Sequence, residues 1–83
     1  MRLISGSKRY ALSSLAAGVQ GIVHEVRRAA GSEADRLVAL GVTSGARVIV
    51  LQTFPGIVFC CDQTEIAVER AVADTILIEL ADE

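Results

Sequence analysis

Residues 47–68, RVIVLQTFPGIVFCCDQTEIAV, decide the fold. RVIVLQT (47–53) is a strand by its β-branched content. Phe54-Pro55-Gly56 turns the chain, IVFCC (57–61) returns it, and Asp62-Gln63-Thr64 turns it again into a short strand over 65–68. Successive side chains of a strand face opposite ways. Val48, Val50 and Gln52 therefore oppose Arg47, Ile49 and Leu51, while Val58 and Cys60 oppose Ile57, Phe59 and Cys61. Both faces of IVFCC are apolar, so alternation leaves open which one is core.

Working outward, LSSLAAG (12–18) reads as a short helical turn closed by Gly18, with Leu12 and Leu15 on one side. A strand begins at Val19, and a bulge near Gly21 would let both Val23 and Val26 reach the core. AAGSEADRLVALG is the one helix. Ser32 is its N-cap, Glu33 and Asp35 favour the dipole in the first turn, and Gly41 stops it. Ala34, Leu37, Val38 and Leu40 form its apolar side, with Leu37 and Leu40 as core supports. ERAVAD is a single helical turn, and TILIEL closes the chain as a strand with Ile76, Ile78 and Leu80 inward. Five short strands, tight turns and one small helix describe a mainly β, small, partly open barrel.

At 83 residues the chain is read as one domain over 1–83, burying roughly 60–65% of its unfolded surface. It is 52% hydrophobic and 22% charged with no like-charge block, which excludes a disordered chain. A net charge of -2, eight scattered Lys and Arg, and three aromatics (Tyr10, Phe54, Phe59) argue against nucleic-acid binding. The N-terminal stretch lacks a signal-like apolar run, and no window approaches the roughly 18 apolar residues of a membrane span. The expected location is the cytoplasm without membrane insertion, where thiols stay reduced.

Catalytic chemistry has no carrier here. One histidine cannot build a triad, no phosphate-cradling glycine loop occurs, and Glu33 and Asp35 are explained by the helix N-terminus. The chain is read as no enzyme. Cys60 and Cys61 are neighbours on a strand, so they point apart and cannot jointly grip one ion as C-x-x-C does. The candidate metal ligands are His24, Cys61 and Asp62, which only tertiary proximity could unite. If Val48 and Val50 are core, Ile49, Leu51 and alternate residues of IVFCC form an exposed apolar face, a partner or self-association surface. With three aromatics and no Trp, it is not the aromatic groove of a proline-peptide reader.

The order of these features resembles a known family. Leu12-x-x-Leu15-x-x-Gly18-x-x-Gly21-x-Val23 is followed by Arg36-Leu37-x-x-Leu40-Gly41-Val42-x-x-Gly45-x-x-Val48-x-Val50. Then come Pro55-Gly56 and Ile66-Ala67-Val68-x-x-x-x-Ala73-x-x-Ile76-x-Ile78. Together they resemble the FeoA family from about residue 10 to residue 80, with RLVALGVTSG as the most telling segment. Ser44 stands where the family usually has proline, and IAVER (66–70) where it tends to read IALR.

The resemblance implies an SH3-like barrel and an accessory protein of bacterial ferrous iron uptake. The implied partner is the cytosolic GTP-binding domain of the FeoB transporter. Arg36, Ala39, Ile49, Leu51 and Phe59 are the expected partner-binding residues. No cofactor is required, with ferrous or another transition metal ion as the ion it would bind weakly. The alternative is a stand-alone metal-responsive regulatory domain, similar to the C-terminal module of DtxR-type repressors. A third reading is a homo-oligomer built through the exposed strand face.

Overall fold

The computed structural model describes residues 7–27 and 32–81. The strands are β1 (Ser7–Ala11), β2 (Gln20–Val26), β3 (Arg47–Gln52), β4 (Ile57–Cys61), β5 (Thr64–Val68) and β6 (Ile76–Ala81). The helices are α1 (Ser32–Ala39) and the four-residue α2 (Arg70–Ala73), and a 3-10 turn covers Leu12–Ser14. All six strands join one antiparallel sheet in the order β1-β6-β2-β3-β4-β5, which curls around the core without closing. The sixth strand is β1. Its sequence, SKRYA, shows no apolar alternation, and it forms because β6 offers it an edge, with Ser7 opposite Ala81 and Ala11 opposite Leu77.

Cross-strand partners share a face, and this settles the hairpin. Val50 pairs with Phe59 and Phe59 with Ile66, so burying any one of them buries the row. Ile57, Phe59 and Cys61 are core, and Val58 and Cys60 face outward. Val23, Val48, Ile76 and Ile78 complete the sheet's inner face, while Leu80 is partly buried at its margin.

The turns and helices supply the lid. Leu12 and Leu15 pack inward from the first turn, and Leu37 and Val42 from α1 and its exit. That exit is a Schellman motif: Val42 N–H donates to Leu37 O at 2.9 Å and Gly41 N–H to Val38 O at 3.0 Å, with Gly41 at φ +100. The motif buries Leu37 and Val42 against the core and turns Leu40 away from it. Leu40 is 37% exposed, so it is not the core support expected from the sequence, and Val38 of the expected apolar side is 52% exposed. The helix begins at Ser32 itself, one residue earlier than an N-cap at that position would allow.

The bulge in β2 lies between Val23 and Glu25, at His24 rather than at Gly21. It does what was expected of it, since Val23 is buried and Val26 packs against the core. Gly21 has a different reason to be glycine. A Cβ there would stand 2.5 Å from Ile78 Cγ2 and 2.9 Å from Glu79 O on β6.

Candidate functional site

The outer face of β3, β4 and β5 is apolar. Ile49 stands opposite Cys60, which stands opposite Glu65; one step along, Gln52 faces Val58 and Val58 faces Ala67. Leu51 lies at the bulge between those rows and is 45% exposed. The strip ends at the β3–β4 turn, where Phe54 is 80% exposed ahead of a cis peptide bond to Pro55. A phenylalanine in water costs free energy that burial against another surface would recover. Nothing among the described residues covers it.

Arg70 on α2 ties down the base of this turn. Its Nη2 donates to Thr53 O at 2.6 Å and its Nη1 to Ser13 O at 3.3 Å. Ser13 Oγ also donates to Asp74 Oδ1, so α2, the first turn and the hairpin are fastened together. Charged donors make the stronger hydrogen bonds. The aromatic tip is therefore presented from a fixed base.

The five expected partner residues do not form one surface. Ile49 and Leu51 lie on the outer strip as anticipated. Phe59 does not: it is fully buried between Val50 and Ile66, and is a core residue rather than a contact residue. Arg36 and Ala39 are exposed on α1, whose Leu37 plugs the opposite, inner side of the sheet. Arg36 pairs with Glu33 at 3.1 Å beside a cleft of about 170 Å³ lined also by Ala67, Val68, Glu69 and Val72. That pair is exposed and contributes little.

The candidate metal ligands are not brought together either. His24 is half-buried at the β2 bulge, and β3 separates β2 from the strand carrying Cys61. Cys61 is buried with its thiol directed at Gly41 O, 3.5 Å away. Asp62 sits in the β4–β5 turn at φ +57, its Oδ1 accepting from Arg47 N–H at 3.4 Å. No three His, Cys, Asp or Glu side chains cluster as a metal site among the described residues. Burial, then the Asp62 carboxylate, then neighbouring Cys60, push the Cys61 thiol up, away from the thiolate that metals and electrophiles need.

Sequence reading missed Phe54, taken only as part of a turn, and Arg70, which has no local signal because its acceptors are 17 and 57 positions away.

Compared with known families, residues 10–80 match the sequence model of the FeoA domain. The chain belongs to the FeoA family. A FeoA solution structure from Chlorobium tepidum is 30% identical to this FeoA chain, covering 86% of it and 70% of that protein, with a TM-score of 0.78. A crystal structure of an iron uptake regulatory protein, also FeoA, is 25% identical over 88% of this chain and 99% of its own, with a TM-score of 0.75. The Stenotrophomonas maltophilia FeoA, solved with zinc and described as an SH3-domain protein, shares the fold at 22% identity. It covers 81% of this chain and 86% of its own, with a TM-score of 0.73. No curated protein matches.

The FeoA barrel is SH3-like, with an additional strand on one edge and a sheet that stays open. Family membership associates the chain with ferrous iron transport. No helix among the described residues is long and apolar enough to cross a membrane.

Proposed function

We propose that this FeoA chain is a non-enzymatic accessory protein of ferrous iron uptake that works in the cytoplasm by docking on the GTP-binding part of a FeoB-like transporter. The observation that carries this reading is the outer apolar strip of Ile49, Leu51, Val58 and Cys60, ending in the exposed Phe54. Exposed aromatics on a fixed base are the usual anchors of protein–protein contacts, and a rim of polar groups completes them. Gln20 and Glu65 flank the strip as such a rim. The S. maltophilia relative is described as "possibly acting as a bacterial ferrous iron transport activating factor", which fits the same role.

The test is direct binding to the isolated cytosolic part of the transporter, followed by fluorescence anisotropy. Phe54→Ser and Leu51→Glu should each weaken binding at least about tenfold, as removal of a contact anchor does, while Arg36→Ala leaves it near the parent value. Absence of binding by the parent chain at high micromolar concentration would refute docking.

A further inference from the structure

The open sheet has two edges, and they carry opposite charge. β1 has β6 as its one neighbour and β5 has β4, so each leaves a row of backbone N–H and C=O groups without a strand partner among the described residues. Lys8 and Arg9 are exposed on the β1 edge. Glu65 is exposed on the β5 edge, which ends at Val68; exposed Glu69 follows it as the cap of α2, at φ -74 and ψ 157, its C=O accepting from Val72 and Ala73 N–H. Among the described residues the one ion pair is Arg36 with Glu33, so none of these four charges is satisfied that way.

Charges on an edge strand ordinarily prevent sheets from joining. Here they do so selectively. Two β1 edges would set Lys8 and Arg9 against their own kind, and two β5 edges would do the same with Glu65 and Glu69. Like charges directly across a ladder are destabilising and unlike ones stabilising. Only β1 against β5 brings unlike charges together.

We infer that the β1 edge of one copy adds to the β5 edge of a second copy, head to tail, continuing the sheet from one molecule into the next. Antiparallel pairing with Arg9 opposite Ala67 sets Lys8–Ala11 against residues 65–68, with Glu69 just beyond the ladder. Within each chain Arg9 pairs with Glu79 and Ala67 with Val58, which places Arg9 and Ala67 alike on the outer face. The guanidinium then lies diagonal to both Glu65 and Glu69, a cross-strand separation of about 7–8 Å that long side chains span. On the inner face Tyr10, 39% exposed in the single chain, comes to lie opposite Ile66. Such an interface is heterologous, because different patches meet, so it propagates into chains or closes into rings rather than stopping at two. It leaves Phe54, Ile49 and Leu51 free but engages Glu65, which also flanks the strip, so the two interfaces share that residue.

Sedimentation equilibrium under reducing conditions tests this through charge exchange. The parent's weight-average mass should rise with concentration toward about 1 mM at about 50 mM salt, and the rise should disappear at about 500 mM salt, where exposed charges are screened. Glu65→Lys/Glu69→Lys should be monomeric. Lys8→Glu/Arg9→Glu/Glu79→Lys should be monomeric as well, the third change keeping unlike charges opposite position 9. An equimolar mixture of the two should associate again. The milder Glu65→Gln/Glu69→Gln, which preserves side-chain size, should weaken association at least about threefold, as loss of exposed pairs does. A parent that stays monomeric, a mixture that stays monomeric, or association abolished by Leu51→Glu yet untouched by the Gln variant would each overturn the inference.

Discussion

Replacing Gly21 with alanine tests the closest contact in the sheet. In an unobstructed strand this change is neutral or stabilises by about 0.4–1 kcal/mol, because alanine narrows the unfolded ensemble. The structure reverses the sign. The new Cβ would lie 2.5 Å from Ile78 Cγ2, 2.8 Å from Leu80 Cδ2 and 2.9 Å from Glu79 O. Carbon atoms rest at about 3.5–4.0 Å, so the overlap with each methyl is about 1 Å. Leu80 is only partly buried and can swing aside. Ile78 is fully buried and stiff at χ1, and Glu79 O belongs to the backbone, so β2 must move off β6.

That places the substitution at the upper end of overpacking, about 3 kcal/mol, or about 2–3 kcal/mol after the entropic gain. A chain of this length has about 4–12 kcal/mol in total. Urea unfolding followed by far-UV circular dichroism should show a midpoint lower by about 2 M, for a slope near 1 kcal/mol per M, with the slope unchanged. A midpoint equal to or above the parent's would refute the β2–β6 packing described here.

Other substitutions follow from burial. Leu37→Ala should cost about 2–5 kcal/mol in the same urea assay, whereas Leu40→Ala, outside the core, should cost below about 1 kcal/mol. With a disulfide reagent at neutral pH, Cys60 should react first and Cys61 only when the chain unfolds. Because the folded state raises the Cys61 thiol, the chain holds that proton more tightly folded than unfolded. Stability tied to it is fully present below the unfolded thiol's pKa of about 8.5 and is lost as pH rises through the folded value. Cys61→Ala should flatten the alkaline limb of the stability curve, measured between about pH 8 and 10. Titration with ferrous or zinc ions should give the same isotherm for His24→Ala and Cys61→Ser as for the parent, since those side chains do not converge.

The barrel was legible because its punctuation is local. Pro55-Gly56, Asp62-Gln63 and Gly41 end elements by their own conformational preferences, and TILIEL alternates cleanly enough to fix Ile76 and Ile78 as core. What was not legible depended on partners remote in sequence. IVFCC is apolar on both faces, and only its register against Val50 and Ile66 turned Phe59 inward. SKRYA has no pattern of its own and is a strand because β6 is there to accept it. Leu40 keeps helical spacing from Leu37, yet the chain reversal at Gly41 turns it outward. The candidate site divided along the same line. Ile49 followed from alternation within one strand; the bulge after Val50, invisible in the sequence, moved Gln52 from the face of Val48 and Val50 to the outer row with Val58, and grouping the strip with Arg36 and Ala39 required knowing which side α1 covers.

The strand order also has a consequence for synthesis. β6 lies between β1 and β2, although residues 76–81 are made after both. A chain emerging from the ribosome can form the β3–β4–β5 meander as soon as its turns are out, because those pairings are between neighbours in sequence. β1 has no partner until β6 arrives, and β2 meets only β3 before then. Ile76 and Ile78 belong to the same late strand, so the core is also incomplete during that interval. A chain stopped before residue 76 would therefore lack the partner of β1, one of the two partners of β2, and the core residues Ile76 and Ile78.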